Sequence, residues 1–524
     1  MMWRTALLVK LKKIGINGNM FSFISSFIRN RSMQVQVGTK LSETKTLENG
    51  TPQGSVLSPI LFLVMINDID IGKENGVELS LFADDSATYK SGSNLDFIAK
   101  KVQKSLDAMS KWCDEWGMKI SVAKSTAVVF TQRRTYQNPS LTVKGEKLDI
   151  SNKVKFLGLI FDSKLTWAEH VKYIENKCKS RLNLMRCLTG TRWGAGKHNL
   201  LTVYRVLIRS LLDYAAIALD SASRSVKARL DSIQYRALKI CCGAMRGTAL
   251  IALQGECGEL PLELRRRRQQ LQYASKVKTV KNHPTKMVLE DHWTQYYGGF
   301  KETSEPLAYK IKEFFDSQIH RPESTRPSEK APWLRAPTYI HTSLSKVINK
   351  QDPPDQIKAY ALELMERYEG QLAIYTDGSK SVDGRVSSAF RVPELKVKVN
   401  TRITDDLTVY TSELMAIKLA LEWIIQVNDA LLPPGRDVVI YSDSLSSLMS
   451  LETGSSSSRP NLVQDILNLI DSIVCRKISL TWVPAHVAIR GNEVADQLAK
   501  EALETEQVLQ VGFELKETLQ EHKR

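Results

Sequence analysis

The sequence predicts a multidomain α/β protein, and three observations predict it. The chain has 524 residues, too many for one hydrophobic core, and a prior of about 150 residues per domain gives three or four. Hydrophobic residues make up 43% and charged residues 25%, a balance that excludes collagen-like, low-complexity and wholly disordered classes. Short apolar runs of strand length also alternate with helical spacing in two separate places. One lies in the first third and the other begins at Gln371.

Residues 1–165 mix helical stretches with short strands. Leu79–Ala83 and Ala127–Thr131 read as strands, and Ile98–Trp116, apolar at 98, 102, 106, 109, 112 and 116, reads as a helix. Residues 166–280 read as mostly helical, with periodic runs at Lys197–Leu219 and Val226–Gly243 and a basic cluster at Arg265–Arg268. Residues 281–369 hold Glu305-Pro306, Arg321-Pro322, Arg326-Pro327, Ala331-Pro332 and Pro353-Pro354, and read as a loose connector with one or two helices. From 370 to 504 strands are expected at 371–376, 386–392, 395–403, 437–442 and 477–483. Helices are expected near 411–426, 460–475 and 492–504, which makes a mixed sheet with helices on its faces. Residues 505–524 read as a charged tail.

The net charge of +16 is unevenly placed: residues 1–365 carry +22, residues 366–504 carry −5 and the tail −1. A basic front joined to a mildly acidic back fits a polyanion-gripping part beside a metal-using part. Charge alone does not separate this from a solvated basic surface. The apolar stretch Val56–Ile66 is interrupted by Ser58 and Pro59, short of the ~20 residues of a membrane span. With no basic-then-apolar leader at the start, a soluble, intracellular chain with no membrane partner is expected. Seven scattered cysteines argue for reduced thiols.

Four carboxylates sit where the last α/β block brings them to one sheet edge. Asp377 lies at the end of the first strand in YTDGS, and Glu413 opens the helix SELMAIKLALEW, where Thr411 or Ser412 can cap. Asp443 ends the fourth strand in YSDS, and Asp496 lies in the last helix in GNEVADQLAK. Taken singly, each reads as a turn or cap residue. Converging without bases they repel, and divalent cations relieve the repulsion. Two Mg2+ (or Mn2+) ions ~4 Å apart suit phosphodiester hydrolysis. His486, in the loop WVPAHVAIRGNE ten residues before Asp496, can shuttle a proton.

These four blocks, in order, resemble the ribonuclease H family over roughly residues 370–503. The resemblance implies that Asp377, Glu413, Asp443 and Asp496 are its metal ligands and His486 its mobile-loop histidine. Ala488 stands where the family often has glycine, and no basic protrusion is present for gripping an RNA–DNA hybrid.

In the first third, TPQGSVLSPILFLVMINDI joins a turn-forming Pro-Gln-Gly to an apolar helix, and LFADDSATY sets Asp84 and Asp85 after an apolar strand. An Asp-Asp turn alone reads as solvated. With GMKISVAKSTAVVF and FLGLIFDSKLTWAEHV, these segments resemble the palm of a non-LTR retrotransposon reverse transcriptase of the jockey type. SLLDYA and PLELRRRR resemble its helical thumb and connector. The resemblance implies metal binding by Asp84 and Asp85, nucleic-acid or nucleotide contacts by Gln53, Gly54 and Lys124, and template RNA and DNA as partners. In that family a further metal-binding aspartate precedes a Trp like Trp3, whereas here Met1-Met2 stand before it.

The expected architecture is therefore a partial reverse-transcriptase palm and a helical thumb and connector, followed by a ribonuclease H-like mixed-sheet domain. The expected activity is hydrolysis of the RNA strand of RNA–DNA hybrids, with a polymerase site inactive for want of its aspartate. A nucleic-acid-binding remnant without catalysis, or a working RNA-directed DNA polymerase with that aspartate supplied upstream, are the other readings. The nucleus is an open location.

Overall fold

The computed structural model describes residues 2–521 apart from 70–71, 73–75, 191–193, 281, 291–306, 309–310, 312–321, 327–334, 336–338, 350–351, 428–430 and 434. Nearly half of the Pro-rich segment read as a connector therefore lies outside the described residues. The chain divides into two compact units, Met1–Leu260 and Pro261–Arg524.

In the first unit, helices Arg4–Lys13, Gly18–Ile28, Leu57–Ile66 and Leu95–Glu115 enclose a core of Leu7, Leu11, Ile28, Met65, Met109 and Trp112. Leu95–Glu115 realises the apolar period read from Ile98 to Trp116, and its Asn94 side chain accepts from Phe97 N–H as an N-cap. Lys10 is buried beneath two indoles, its Nζ 4.4 Å and 4.0 Å from the Trp112 and Trp116 ring centroids. That ammonium donates to Met65 O at 2.7 Å and pairs with Asp68.

Among the described residues, the strands of this unit pair two at a time. The strand expected at Ala127–Thr131 shrinks to Thr126–Ala127, paired with Asp149–Ile150, since no neighbouring ladder extends it. Beyond them, Ala168–Cys187, Lys197–Tyr204, Arg224–Cys242 and Leu250–Cys257 are helical and bury Tyr204, Leu230 and Ile233. The single helix expected over Lys197–Leu219 is broken by a π-turn at Arg205–Arg209 and a left-handed Ala215. All seven cysteines are free thiols.

The second unit is built on a seven-stranded sheet. After the helix Leu262–Thr279, its sheet strands and main helices are β1 (Tyr339–His341), α1 (Pro354–Glu366), β2 (Leu372–Lys380), β3 (Val386–Val392), β4 (Val397–Ile403) and α2 (Val409–Gln426). β5 (Val438–Ser442), α3 (Leu445–Thr453), α4 (Pro460–Ser472), β6 (Ile478–Trp482), α5 (Arg490–Ala502), β7 (Val508–Leu509) and α6 (Leu515–Glu521) follow. The spatial order is β1-β6-β5-β2-β3-β4-β7. β2 runs antiparallel to β3, and β3 to β4, while β1, β6, β5 and β2 form a parallel run.

Period-2 alternation divides the side chains of the central strands between two cores. Leu372, Ile374, Val438, Ile440, Ile478 and Leu480 pack with Ile417, Leu421 and Ile466 of α2 and α4. Tyr375, Val439 and Tyr441 face the other way, against Ala361 of α1 and Ile489 and Ala495 at α5.

Three sequence expectations change here. The 505–524 segment is not a free tail over its described part: β7 pairs with β4, and α6 carries Glu517, which is buried against the equally buried Arg459. The connector contributes β1, which lies along β6 by parallel pairing. Helix α3 was not anticipated, because its serine-rich sequence has weak helical propensity and is held by Leu448 and Leu451 in the core. Among the described residues no helix is long and apolar enough to cross a membrane.

Candidate metal centre

The carboxylates meet where the parallel ladder between β2 and β5 stops. Its last pair is Thr376 with Ser442, so Asp377 and Asp443 follow at the same level on adjacent strands. Asp377, expected at a strand end, instead lies within β2, which continues to Lys380 on its other side, paired with β3.

Glu413 arrives from the first turns of α2. The cap is Thr408, whose side chain accepts from Thr411 N–H, and not Thr411 or Ser412. Capping three residues earlier places Glu413 inside the helix, one turn beyond the cap. Close approach of helix and strand depends on Gly378: a Cβ there would lie 2.4 Å from Ser412 Oγ and 2.6 Å from Glu413 N. Gly491 plays the same part for α5, where a Cβ would stand 2.3 Å from the Tyr375 ring.

Carboxylate oxygens of Asp377, Glu413 and Asp443 lie within 4.8 Å of one another, and this is the one such group of three among the described residues. Asp377 and Glu413 are buried. Burial first, then the neighbouring Asp443 and Asp496, push the Asp377 carboxyl up to about 8. Burial, then Asp377 and Asp443, raise Glu413 well above its ordinary range. Asp443 is raised chiefly by burial, with the hydrogen bond from Asn492 pulling the other way. Glu413 Oε2 is buried with no hydrogen-bond partner, and a buried acceptor without one is costly. Three hard oxygens, one of them orphaned, in mutual repulsion fit a Mg2+ or Mn2+ ion.

Asp496 lies on α5 outside this group of three. Its Oδ2 accepts from Lys500 Nζ at 2.7 Å, yet its charge is felt by Asp377, Glu413 and Asp443. His486 is exposed in the loop between β6 and α5, with φ +56, and its charge acts on Asp443. Ala488 two residues on has φ +59, the left-handed conformation that favours glycine.

Three partners went unassigned in the sequence. Asn492 Nδ2 donates to Asp443 Oδ2 at 3.1 Å and Trp482 Nε1 to Asp443 O at 2.9 Å, while Lys500 holds Asp496. The i,i+4 spacing of Asp496 and Lys500 was the readable signal. Asn492 and Trp482 had none, since both reach Asp443 across the sheet edge.

The other predicted residues lie in the first unit. Asp84 and Asp85 are exposed at the tip of the hairpin Glu78–Phe82/Asp85–Tyr89. Ala83 before them is left-handed at φ +51. Gln53 and the left-handed Gly54 (φ +83) are exposed ahead of Leu57–Ile66, and Lys124 is exposed at the end of the 3-10 turn Val122–Lys124. No third metal-binding side chain joins Asp84 and Asp85 among the described residues.

Residues 2–161 match the family model for reverse transcriptase (RNA-dependent DNA polymerase), and residues 369–504 match that for RNase H. Among curated proteins the chain is similar to the RNA-directed DNA polymerase from mobile element jockey of Drosophila funebris. Identity is 27% over 248 residues, 46% of this chain and 27% of that protein. It is 27% identical over 255 residues to the probable RNA-directed DNA polymerase from transposon X-element of Drosophila melanogaster, 47% of this chain and 28% of that one. It is 22% identical over 228 residues to the Pol polyprotein from type-1 retrotransposable element R1 2 of Nasonia vitripennis, 41% of this chain and 54% of that one. The matched segment thus spans about a quarter of the jockey and X-element proteins.

Solved structures with similarity include LC11-RNase H1 isolated from compost, at 18% identity over 26% of this chain and 99% of that one, TM-score 0.22. RNase H1 of Halobacterium salinarum is 23% identical over 26% of this chain and 98% of that one, TM-score 0.20. The two family models and the curated relatives uphold the resemblance to non-LTR retrotransposon reverse transcriptases with a ribonuclease H domain.

Proposed function

We propose that this chain is part of a non-LTR retrotransposon polyprotein whose second unit hydrolyses the RNA strand of RNA–DNA hybrids, leaving 3′-hydroxyl and 5′-phosphate ends. The observation that carries this reading is the buried group of Asp377, Glu413 and Asp443 with its orphaned Glu413 oxygen. When bound there, Mg2+ or Mn2+ supplies Lewis acidity and charge neutralisation for phosphodiester cleavage. Asp377, Glu413, Asp443 and Asp496 would hold the ions, Glu413 on the side of the 2′-hydroxyl. Asn492 holds the Asp443 carboxylate in place through its amide. His486, exposed on its loop, moves a proton at a ring nitrogen toward the leaving oxygen. The net +22 over residues 1–365 holds template RNA, DNA or hybrid through phosphates, without sequence preference.

The exposed Asp84–Asp85 pair has no third carboxylate beside it among the described residues, so the chemistry is assigned to the second unit. The test is an end-labelled RNA strand annealed to DNA, incubated with the chain and Mg2+ or Mn2+ beside Asp443→Asn. Cleavage of hybrid, absent on single-stranded RNA and lost in the variant, is expected. Folded protein that binds hybrid and leaves it intact would reduce the chain to a nucleic-acid-binding remnant. Primer extension by the same protein would instead restore the polymerase reading.

A further inference from the structure

Resting on the two-ion reading of the acidic centre, we propose that Lys500 is a built-in cation occupying the place of the second ion. The four carboxylates fall into two electrically different parts. Asp377, Glu413 and Asp443 converge within 4.8 Å, and no Lys or Arg ion pair is formed with any of them among the described residues. With no paired cation among them, an ion from solution relieves the repulsion once they are ionised. Asp496 already has a cation: Lys500, one turn further along α5, places its Nζ 2.7 Å from Asp496 Oδ2.

Helical i,i+4 geometry brings the two side chains together within α5 itself. The Lys500 ammonium is also close enough for its charge to act on Asp377, the carboxylate shared by both ion positions. An ion arriving at Asp377 and Asp496 therefore meets a positive charge and must displace it, whereas one arriving at the group of three does not. The ions bind in order, the first to Asp377, Glu413 and Asp443, and the second only as Lys500 swings away. Lys500 is 59% exposed at its side chain, so it has open solvent to swing into. Lys500 is thus a positioning residue that sets the concentration at which the second ion enters.

The test is Mn2+ titration of the full chain without nucleic acid, following free Mn2+ by electron paramagnetic resonance. Two classes of site are expected in the parent, the first lost in Asp443→Asn. An exposed ion pair is weak, so Lys500→Ala should tighten the second class by about two- to fivefold and leave the first unchanged. Lys500→Arg should restore the parent's second constant. A parent that binds no Mn2+, or an Asp443→Asn variant that binds as the parent does, overturns the two-ion reading and the proposal with it. An intact first class with the second class unmoved by Lys500→Ala overturns the Lys500 proposal alone.

Discussion

The hairpin tip of the first unit and the sheet edge of the second both present paired aspartates, but in opposite environments. Asp84 and Asp85 are adjacent in sequence, exposed, and carried by a two-stranded hairpin. Asp377 and Asp443 are 66 positions apart in sequence, sit on adjacent parallel strands of a seven-stranded sheet, and are joined by Glu413 from a helix. Water screens the first pair, and it needs no ion to be tolerable. Burial withdraws that screening from the second group and raises all three carboxyls. The comparison shows that a buried cluster of mutually repelling carboxylates comes from the surrounding sheet and helices, and not from acidic residues alone.

The largest effect should come from breaking one member of the comparison at a time. In the hybrid-cleavage assay Asp443→Asn should lower the rate on the order of a thousandfold, since ion stabilisation of the transition state amounts to several kcal/mol. Asp84→Asn with Asp85→Asn should leave cleavage unchanged. Loss of cleavage in the double variant would move the chemistry to the first unit.

Ion pairs offer a second contrast. Arg459 and Glu517 are both buried; Arg459 Nε donates to Thr411 Oγ1 at 2.9 Å and its Nη1 to Gly512 O at 2.6 Å. Glu517 in turn accepts from Thr411 and from Thr408 N–H, which ties α6 to the first turn of the Glu413 helix. Removing one partner leaves a buried charge, so Glu517→Ala should destabilise the second unit by about 3–5 kcal/mol. Asp114→Ala, breaking the exposed Lys144–Asp114 pair of the first unit, should cost less than about 1 kcal/mol. Hydrogen exchange read separately on peptides from each unit measures both. Equal losses would mean that residues 505–521 do not lock the domain.

The pH dependence of the metal-free second unit is smaller and has a definite sign. Asp377 is pushed up to about 8 in the folded state from its ordinary value of 3.8. Between these values the folded form holds a proton that the unfolded form has released, so stability falls as pH rises from about 4 to 8. Denaturant midpoints of the metal-free chain should drop across that window, and Mg2+ at pH 8 should restore them. Asp377→Asn should flatten the slope. A midpoint that climbs with pH would show that Asp377 is not buried in repulsion.

The smallest expected effect concerns the histidine loop. Ala488 is held at φ +59, where an L side chain costs about 1–2 kcal/mol. Part of that gain returns as unfolded-state entropy when glycine replaces it, so Ala488→Gly should raise stability by about 0.5–1 kcal/mol. A thermal scan of Ala488→Gly that shows a loss would place the residue in another conformation in solution.

Much of the second unit was legible because its strands alternate and its helices are amphipathic. The four carboxylates were legible because the motifs YTDGS, SELMAI, YSDS and GNEVADQLAK stand in a fixed order along the chain. What was not legible depends on contacts between distant residues. The connector strand β1 and the segment β7–α6 have too little apolar sequence to announce themselves, and pairing with β6 and β4 defines them. Thr408 could not be preferred to Thr411 or Ser412, since all three carry capping hydroxyls and packing of α2 on Gly378 selects the register. Asn492 and Trp482 became visible as Asp443 partners only when α5 and β6 were set against the sheet edge.

The sequence by itself determined the α/β organisation, the uneven charge and the identity of the four carboxylates, since periodicity, charge and motif order are properties of the chain. The tertiary structure alone decided that three of them meet out of water while the fourth is held by Lys500. Burial and separation are set by which strands lie side by side and how closely a helix can approach at Gly378, and neither is encoded in any one segment.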